Sequence, residues 1–170
     1  MTAFVALLRG INLGKRQLKM DELKRVATEL GLESPKTYIA SGNLLFASDK
    51  SEKALKAALE KTLSQHMGAE VAVMMRTAKE MNAVAKANPF AEEPGNKVVA
   101  IFLDQAPPRD AADQAKNLAG ERIRIGQREL YVHYPNGQGL SKLAIPAAAR
   151  GTARNMNSVA KLAQMAGELQ

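Results

Sequence analysis

Cysteine and tryptophan are both missing from this 170-residue sequence. Without cysteine there is no disulfide framework, no zinc–thiolate site and no thiol nucleophile. Histidine is nearly missing as well. Only His66 and His133 are present, neither at a carboxylate spacing that marks a general base, and a hydrolytic triad would have to draw on one of them. No serine or threonine sits in a nucleophile-elbow pattern. Spacing of the EF-hand, zincin or facial-triad kind is also lacking, so the sequence leads us to expect no metal and no cofactor. Aromatic residues are few, and nothing matches the paired aromatic signature of an RNA-recognition motif. Phe4, Phe46 and Phe102 lie in apolar runs and read as core, leaving Tyr38, Tyr131 and Tyr134 as rings that can stack on a base or substrate. The apolar run before Arg9 is too short for a signal-peptide core or a membrane span. A cytoplasmic location and no membrane partner are therefore expected.

What the sequence does have is positive charge in two places. The formal net charge is +7, and such a balance favours anionic partners, either an anionic small molecule or nucleic acid. Arg9, Lys15, Arg16 and Lys19 fall in residues 1–20 with no acid among them. Lys142, Arg150, Arg154 and Lys161 fall in residues 130–167, again with no acid. The rest of the chain is close to neutral.

Apolar patterning sets out the elements. A continuous apolar run at residues 3–8 reads as a buried strand, and Met20, Leu23, Val26, Ala27 and Leu30, followed by Gly31, read as a helix with a left-handed C-terminal cap. Thr37-Tyr38-Ile39 and Leu44-Leu45-Phe46 flank Ala40-Ser41-Gly42-Asn43 as a hairpin. Asp49 and Glu52 predict a capping pair ahead of the stripe Leu55, Ala58, Leu59, Leu63, and a strand follows at Val71, Val73 and Met75. This βαββαβ order is ferredoxin-like.

Thr77 and Glu80 predict a second capping pair, opening a connecting helix that Asn88-Pro89 stops. A strand at residues 98–103, a helix after Pro107-Pro108 with Ala111, Ala112, Ala115 and Leu118 on one face, a hairpin turning at Gly126-Gln127, and a last helix from Met156 complete the chain. The second half thus reads βαββα, without a final strand. The fold class expected is α+β with two ferredoxin-like halves, residues 1–76 and, with the connecting helix, 77–170, the second a degenerate copy and no flexible linker between them.

Two glycine-bearing loops stand where backbone N–H groups and a cation can hold an anion. One is Arg9-Gly10-Ile11-Asn12-Leu13-Gly14-Lys15, which is not a Walker loop; the other is Asn136-Gly137-Gln138-Gly139-Leu140-Ser141-Lys142. A tight turn alone is the preferred account of Gly10 and Gly14, and turn chemistry also explains the asparagine and glycines of the second loop. The segment Arg150-Gly151-Thr152-Ala153-Arg154-Asn155-Met156-Asn157 crowds arginines at the entrance of the last helix, where the macrodipole repels cations. That points either to a bound anion or to a plain asparagine cap.

Ala6-Leu7-Leu8-Arg9-Gly10-Ile11-Asn12-Leu13-Gly14, Thr37-Tyr38-Ile39-Ala40-Ser41-Gly42-Asn43 with Phe46, and Asn88-Pro89-Phe90 together resemble the bacterial family called domain of unknown function 1697. Tyr134-Pro135-Asn136-Gly137 with Ser141-Lys142-Leu143, and Thr152-Ala153-Arg154-Asn155 with Lys161-Leu162, continue the resemblance. It implies an α+β fold of two ferredoxin-like halves and no established activity. This chain departs from it at Met156, where similar sequences usually carry tryptophan.

Family-like polar motifs coincide with the two acid-free stretches, and this gives the expected ligand-binding set: Arg9, Asn12, Ser41, Asn43, Ser141, Lys142, Thr152, Arg154 and Asn155. These are expected to converge on a basic groove between the halves that holds a phosphate-bearing ligand, a nucleotide or RNA. Arg154 would clamp the phosphate, and Ser41 and Thr152 would donate hydroxyl hydrogen bonds. The alternatives are an enzyme of phosphoryl or nucleotidyl chemistry using the same groove with a carboxylate such as Asp21 or Glu22, and a protein-interaction adaptor.

Overall fold

A computed structural model describes residues 1–11, 17–39 and 42–169. The chain is α+β, with two four-stranded antiparallel sheets and, among the described residues, four α-helices. It divides into two compact units, Met1–Met81 with Leu162–Gln170, and Asn82–Lys161. Among the described residues no helix is long and apolar enough to cross a membrane.

In the first unit, β1 (Thr2–Arg9) lies between β3 (Asn43–Ser48) and β4 (Ala72–Thr77), and β2 (Glu33–Thr37) forms an edge, giving the order β2-β3-β1-β4. Phe4, Ala6 and Leu8 share one face with Leu44, Phe46, Val73 and Met75. That face meets Leu23, Val26 and Ala27 of α1 (Met20–Glu29) and Leu55, Leu59 and Leu63 of α2 (Glu52–Met67). Phe4 and Phe46 sit opposite each other with ring centroids 5.8 Å apart. Val5, Leu7, Leu45 and Met74 on the other face are buried too, which is why these strands read as unbroken apolar runs rather than alternating ones.

Local signals account for most boundaries. Gly31, at φ +76°, follows α1 as expected. The Thr77–Glu80 pair forms reciprocally: the Thr77 N–H donates to Glu80 Oε1 at 2.8 Å and the Glu80 N–H to Thr77 Oγ1 at 3.1 Å, opening α3 (Ala78–Lys86). The cap of α2 is Ser51 rather than Asp49; its hydroxyl oxygen accepts the Ala54 N–H, while Asp49 lies 3.4 Å from the N-terminal ammonium. β2 ends at Thr37, short of the expected Ile39, because Ile39 is left-handed at φ 48° and cannot extend a strand.

In the second unit, β5 (Val98–Phe102) lies between β7 (Glu129–His133) and β8 (Thr152–Asn155), with β6 (Arg122–Ile125) at the edge, giving the order β6-β7-β5-β8. The core gathers Val99, Ile101, Ile123, Leu130, Val132 and Tyr134 on one sheet face. α4 (Met156–Glu168) starts directly after β8.

Two expectations fail in this unit. The helix expected after Pro107-Pro108 is a series of turns: Asn117 is left-handed at φ 60°, and Lys116 forms an isolated bridge with Ala144 that pulls the chain out of helical geometry. Tertiary pairing overrides the propensity of an alanine-rich stretch too short to hold a helix alone. The final strand, which the apolar pattern does not show, is present as β8, paired with β5 from Val99↔Asn155 to Phe102↔Thr152. Gly151 permits that approach, since a Cβ there would meet Ile101, Leu103 and the Phe102 carbonyl at 2.8 Å each. Buried Thr152 and Arg154 supply the inward positions that an apolar pattern would otherwise have marked.

Three edge strands share a device. Arg76 on β4, Arg124 on β6 and Arg154 on β8 each donate to the carbonyl of the preceding residue, at 2.8, 2.9 and 2.9 Å respectively.

Candidate functional site

Arg9 and Asn43 belong to the first unit; Ser141, Lys142, Thr152, Arg154 and Asn155 belong to the second. Asn12 and Ser41 lie outside the described residues, as do Gly14 and Lys15 of the first glycine-bearing loop. Arg9 ends β1 with its side chain exposed. Asn43 is fully buried at the start of β3, and its amide Nδ2 donates to the Tyr38 carbonyl at 2.9 Å, closing the hairpin.

Around β8 the polar groups serve one another. Arg154 is buried, and burial pushes its guanidinium down to about 10, so it still carries its charge at neutral pH. It donates to Thr152 Oγ1 at 2.7 Å, which makes the threonine oxygen an acceptor here. Asn155 Oδ1 accepts the Ser158 N–H at 2.9 Å and thereby caps the entrance of α4, the plainer of the two alternatives for this segment.

Ser141 and Lys142 stand at a different place, in a cleft of about 520 Å³. One wall is the turn segment at residues 117–121 and the other the loop at residues 134–142. Asn117 on one wall and Gly137 on the other both have positive φ, at 60° and +85°. Leu118 is 58% exposed and Leu140 80% exposed, so the cleft presents two large apolar side chains to solvent. Its floor is Glu121, a buried carboxylate whose Oε2 accepts the Ser141 hydroxyl at 2.5 Å and whose Oε1 accepts the Ala119 N–H at 2.6 Å. The Ser141 hydroxyl, then the Ala119 N–H and the residue's own N–H, hold this carboxyl below the ordinary glutamate range. Tyr134 lines the same cleft; burial first, and then the Glu121 charge, push its phenol up. Among the described residues Lys142 has no ion-pair partner, and the side chains of Asn117 and Asn136 make no hydrogen bond.

Sequence reasoning reaches Ser141, Lys142 and the Asn136-Gly137 turn, but misses Glu121, Asn117 and Leu118. Leu118 reads in sequence as part of a helix face, and its exposure beside a left-handed asparagine emerges only in the structure. Glu121 carries no mark in the sequence.

Both histidines have carboxylate partners that sequence spacing does not disclose. His66 Nε2 lies 3.1 Å from Glu22, which joins α2 to α1. His133 accepts from Arg122 at Nδ1 over 3.2 Å and has Glu93 3.5 Å from Nε2. Arg122 also pairs with Glu93 at 3.1 Å and lies 4.8 Å over the Phe90 ring. Among the described residues no group of three or more histidines, aspartates or glutamates is placed to hold a metal ion.

A solved structure similar to this chain, that of the conserved bacterial protein SP0830 from Streptococcus pneumoniae, superposes with a TM-score of 0.82 at 26% identity. The match covers 98% of this chain and 99% of that one. No curated protein matches the sequence. The model of the family described as "Protein of unknown function (DUF1697)" matches residues 1–131, which includes β1 to β6, the start of β7, the turn segment and Glu121. The chain belongs to that family.

Proposed function

We propose that the protein is a binding module for a small phosphate-bearing ligand of nucleotide type, held in the cleft between residues 117–121 and 134–142. The observation that carries this reading is a cleft of suitable size in which Lys142 and two asparagine amides are unspent among the described residues, while Leu118 and Leu140 offer apolar cover. An ammonium and amide N–H groups suit phosphate oxygens, and apolar side chains suit the face of a ring. Thr152, Arg154 and Asn155 of β8 and Asn43 of the first hairpin are engaged inside their own units, which moves the reading to Ser141 and Lys142. Phosphoryl or nucleotidyl chemistry is the second reading, supported by a carboxylate, Glu121, in the same cleft as Lys142.

The shared strand order, with the first strand of each unit between its third and fourth, supports a ferredoxin-like reading of both units, the second a degenerate copy in which turns replace the crossover helices. A basic chain with no apolar helical span among the described residues fits a bacterial cytoplasmic binding protein.

A thermal-shift series over mononucleotides, phosphosugars and short RNAs at two salt concentrations tests the reading. A mononucleotide that raises the melting temperature at both salts, with the effect weakened about tenfold in apparent affinity by Lys142→Ala, supports it. A response confined to RNA and lost steeply with salt replaces the mononucleotide by a nucleic acid. A flat response across the panel overturns the proposal.

A further inference from the structure

The polar groups on the floor of the cleft have fixed hydrogen-bonding roles. Ser141 has one hydroxyl proton, and it is donated to Glu121 Oε2. Its oxygen also accepts the Leu143 N–H at 3.1 Å. Glu121 accepts the Ser141 hydroxyl at Oε2 and the Ala119 N–H at Oε1, with its own N–H also facing the carboxylate, and an ionised carboxylate has no proton to give. Serine and glutamate therefore present only acceptors, and a ligand seated against them must bring donors. This corrects the simplest view of a phosphate site here, in which the serine hydroxyl would donate to phosphate: that proton is already committed. Phosphate is left to Lys142 and the amides of Asn117 and Asn136 on the walls, and the floor is left for another part of the ligand.

Resting on the phosphate-binding reading above, we propose that this floor selects a guanine-type base, so that the ligand is a guanine nucleotide rather than a sugar phosphate or an adenine nucleotide. Guanine carries two parallel N–H donors, N1–H and the 2-amino group, on one edge, and this matches the two oxygens of an ionised carboxylate. Adenine sets a donor beside a ring-nitrogen acceptor, whose lone pair would face the carboxylate. Hypoxanthine keeps N1–H but lacks the amine. Leu118 and Leu140, the large apolar side chains exposed at this cleft, are placed to cover the ring.

Titration calorimetry of the full chain with GMP, IMP, AMP and ribose 5-phosphate tests the inference. GMP is expected to bind about 10- to 100-fold more tightly than IMP, the value of one hydrogen bond to a charged partner, with AMP weaker still. Glu121→Gln is expected to erase the preference for GMP over IMP, read as the ratio of the two dissociation constants. Should that variant fail to fold, the four-ligand series on the unaltered protein decides by itself. IMP, AMP or ribose 5-phosphate binding as tightly as GMP overturns the guanine assignment and leaves the phosphate reading standing. No binding by any of the four overturns both.

Discussion

Tyr131 shows how much one buried hydroxyl can carry. It donates to the Val84 carbonyl at 2.8 Å, and burial, with the Glu129 charge second, pushes its phenol up to about 12. Because the folded state raises this pKa, the contribution is complete below the ordinary tyrosine value of about 10 and is lost as pH climbs from there towards 12. Tyr131→Phe is expected to cost about 1–3 kcal/mol in urea titrations at pH 7, by leaving the carbonyl unpaired, and to flatten the alkaline fall in stability. Glu121 works in the opposite sense. Its lowered carboxyl stabilises the fold above the ordinary glutamate range, and that support fades as pH falls through the folded value. Ser141→Ala removes the largest cause of the lowering, so an NMR titration of the Glu121 carboxyl should move upward. Neither role is legible in the sequence, where Tyr131 reads as a ring open to stacking and Glu121 has no motif, since both depend on partners 47 and 20 residues away.

At the level of elements, local chemistry is the legible part. The Thr77–Glu80 box forms as its spacing predicts, and Thr77→Ala is expected to cost about 1 kcal/mol, measured by thermal or urea unfolding. Elements fixed by remote pairing are not legible. Residues 108–118 have good helical composition but are claimed by the Lys116–Ala144 bridge, and β8 is hidden because its inward positions are Thr152 and Arg154. Arg76 and Arg154 are buried, whereas Arg124 is exposed, so the contact on β6 has a further role at an open edge. A strand edge with open carbonyls invites another strand, and a guanidinium turned onto the carbonyl discourages it. Arg124→Thr keeps β propensity while removing the contact; the expected outcome is concentration-dependent self-association in light scattering, absent from the parent protein.

For the whole molecule, charge is informative in total and misleading in placement. The acid-free stretch at residues 130–167 does contain the cleft lysine, yet one of its arginines is spent inside the second unit. Counting basic residues cannot separate a charge facing solvent from one that satisfies backbone carbonyls. The division into two units is likewise only partly legible, because α4 begins in the second unit while its residues from Leu162 onward group with the first. Leu162 is fully buried, and Leu162→Ala should cost about 2–5 kcal/mol in equilibrium unfolding.

Leu140 stands four-fifths out of the fold at the mouth of the cleft, in a chain that has no thiol of its own. Leu140→Cys would therefore give one attachment point for an environment-sensitive fluorophore, and the emission of that single dye would report occupancy of the cleft whatever molecule enters it.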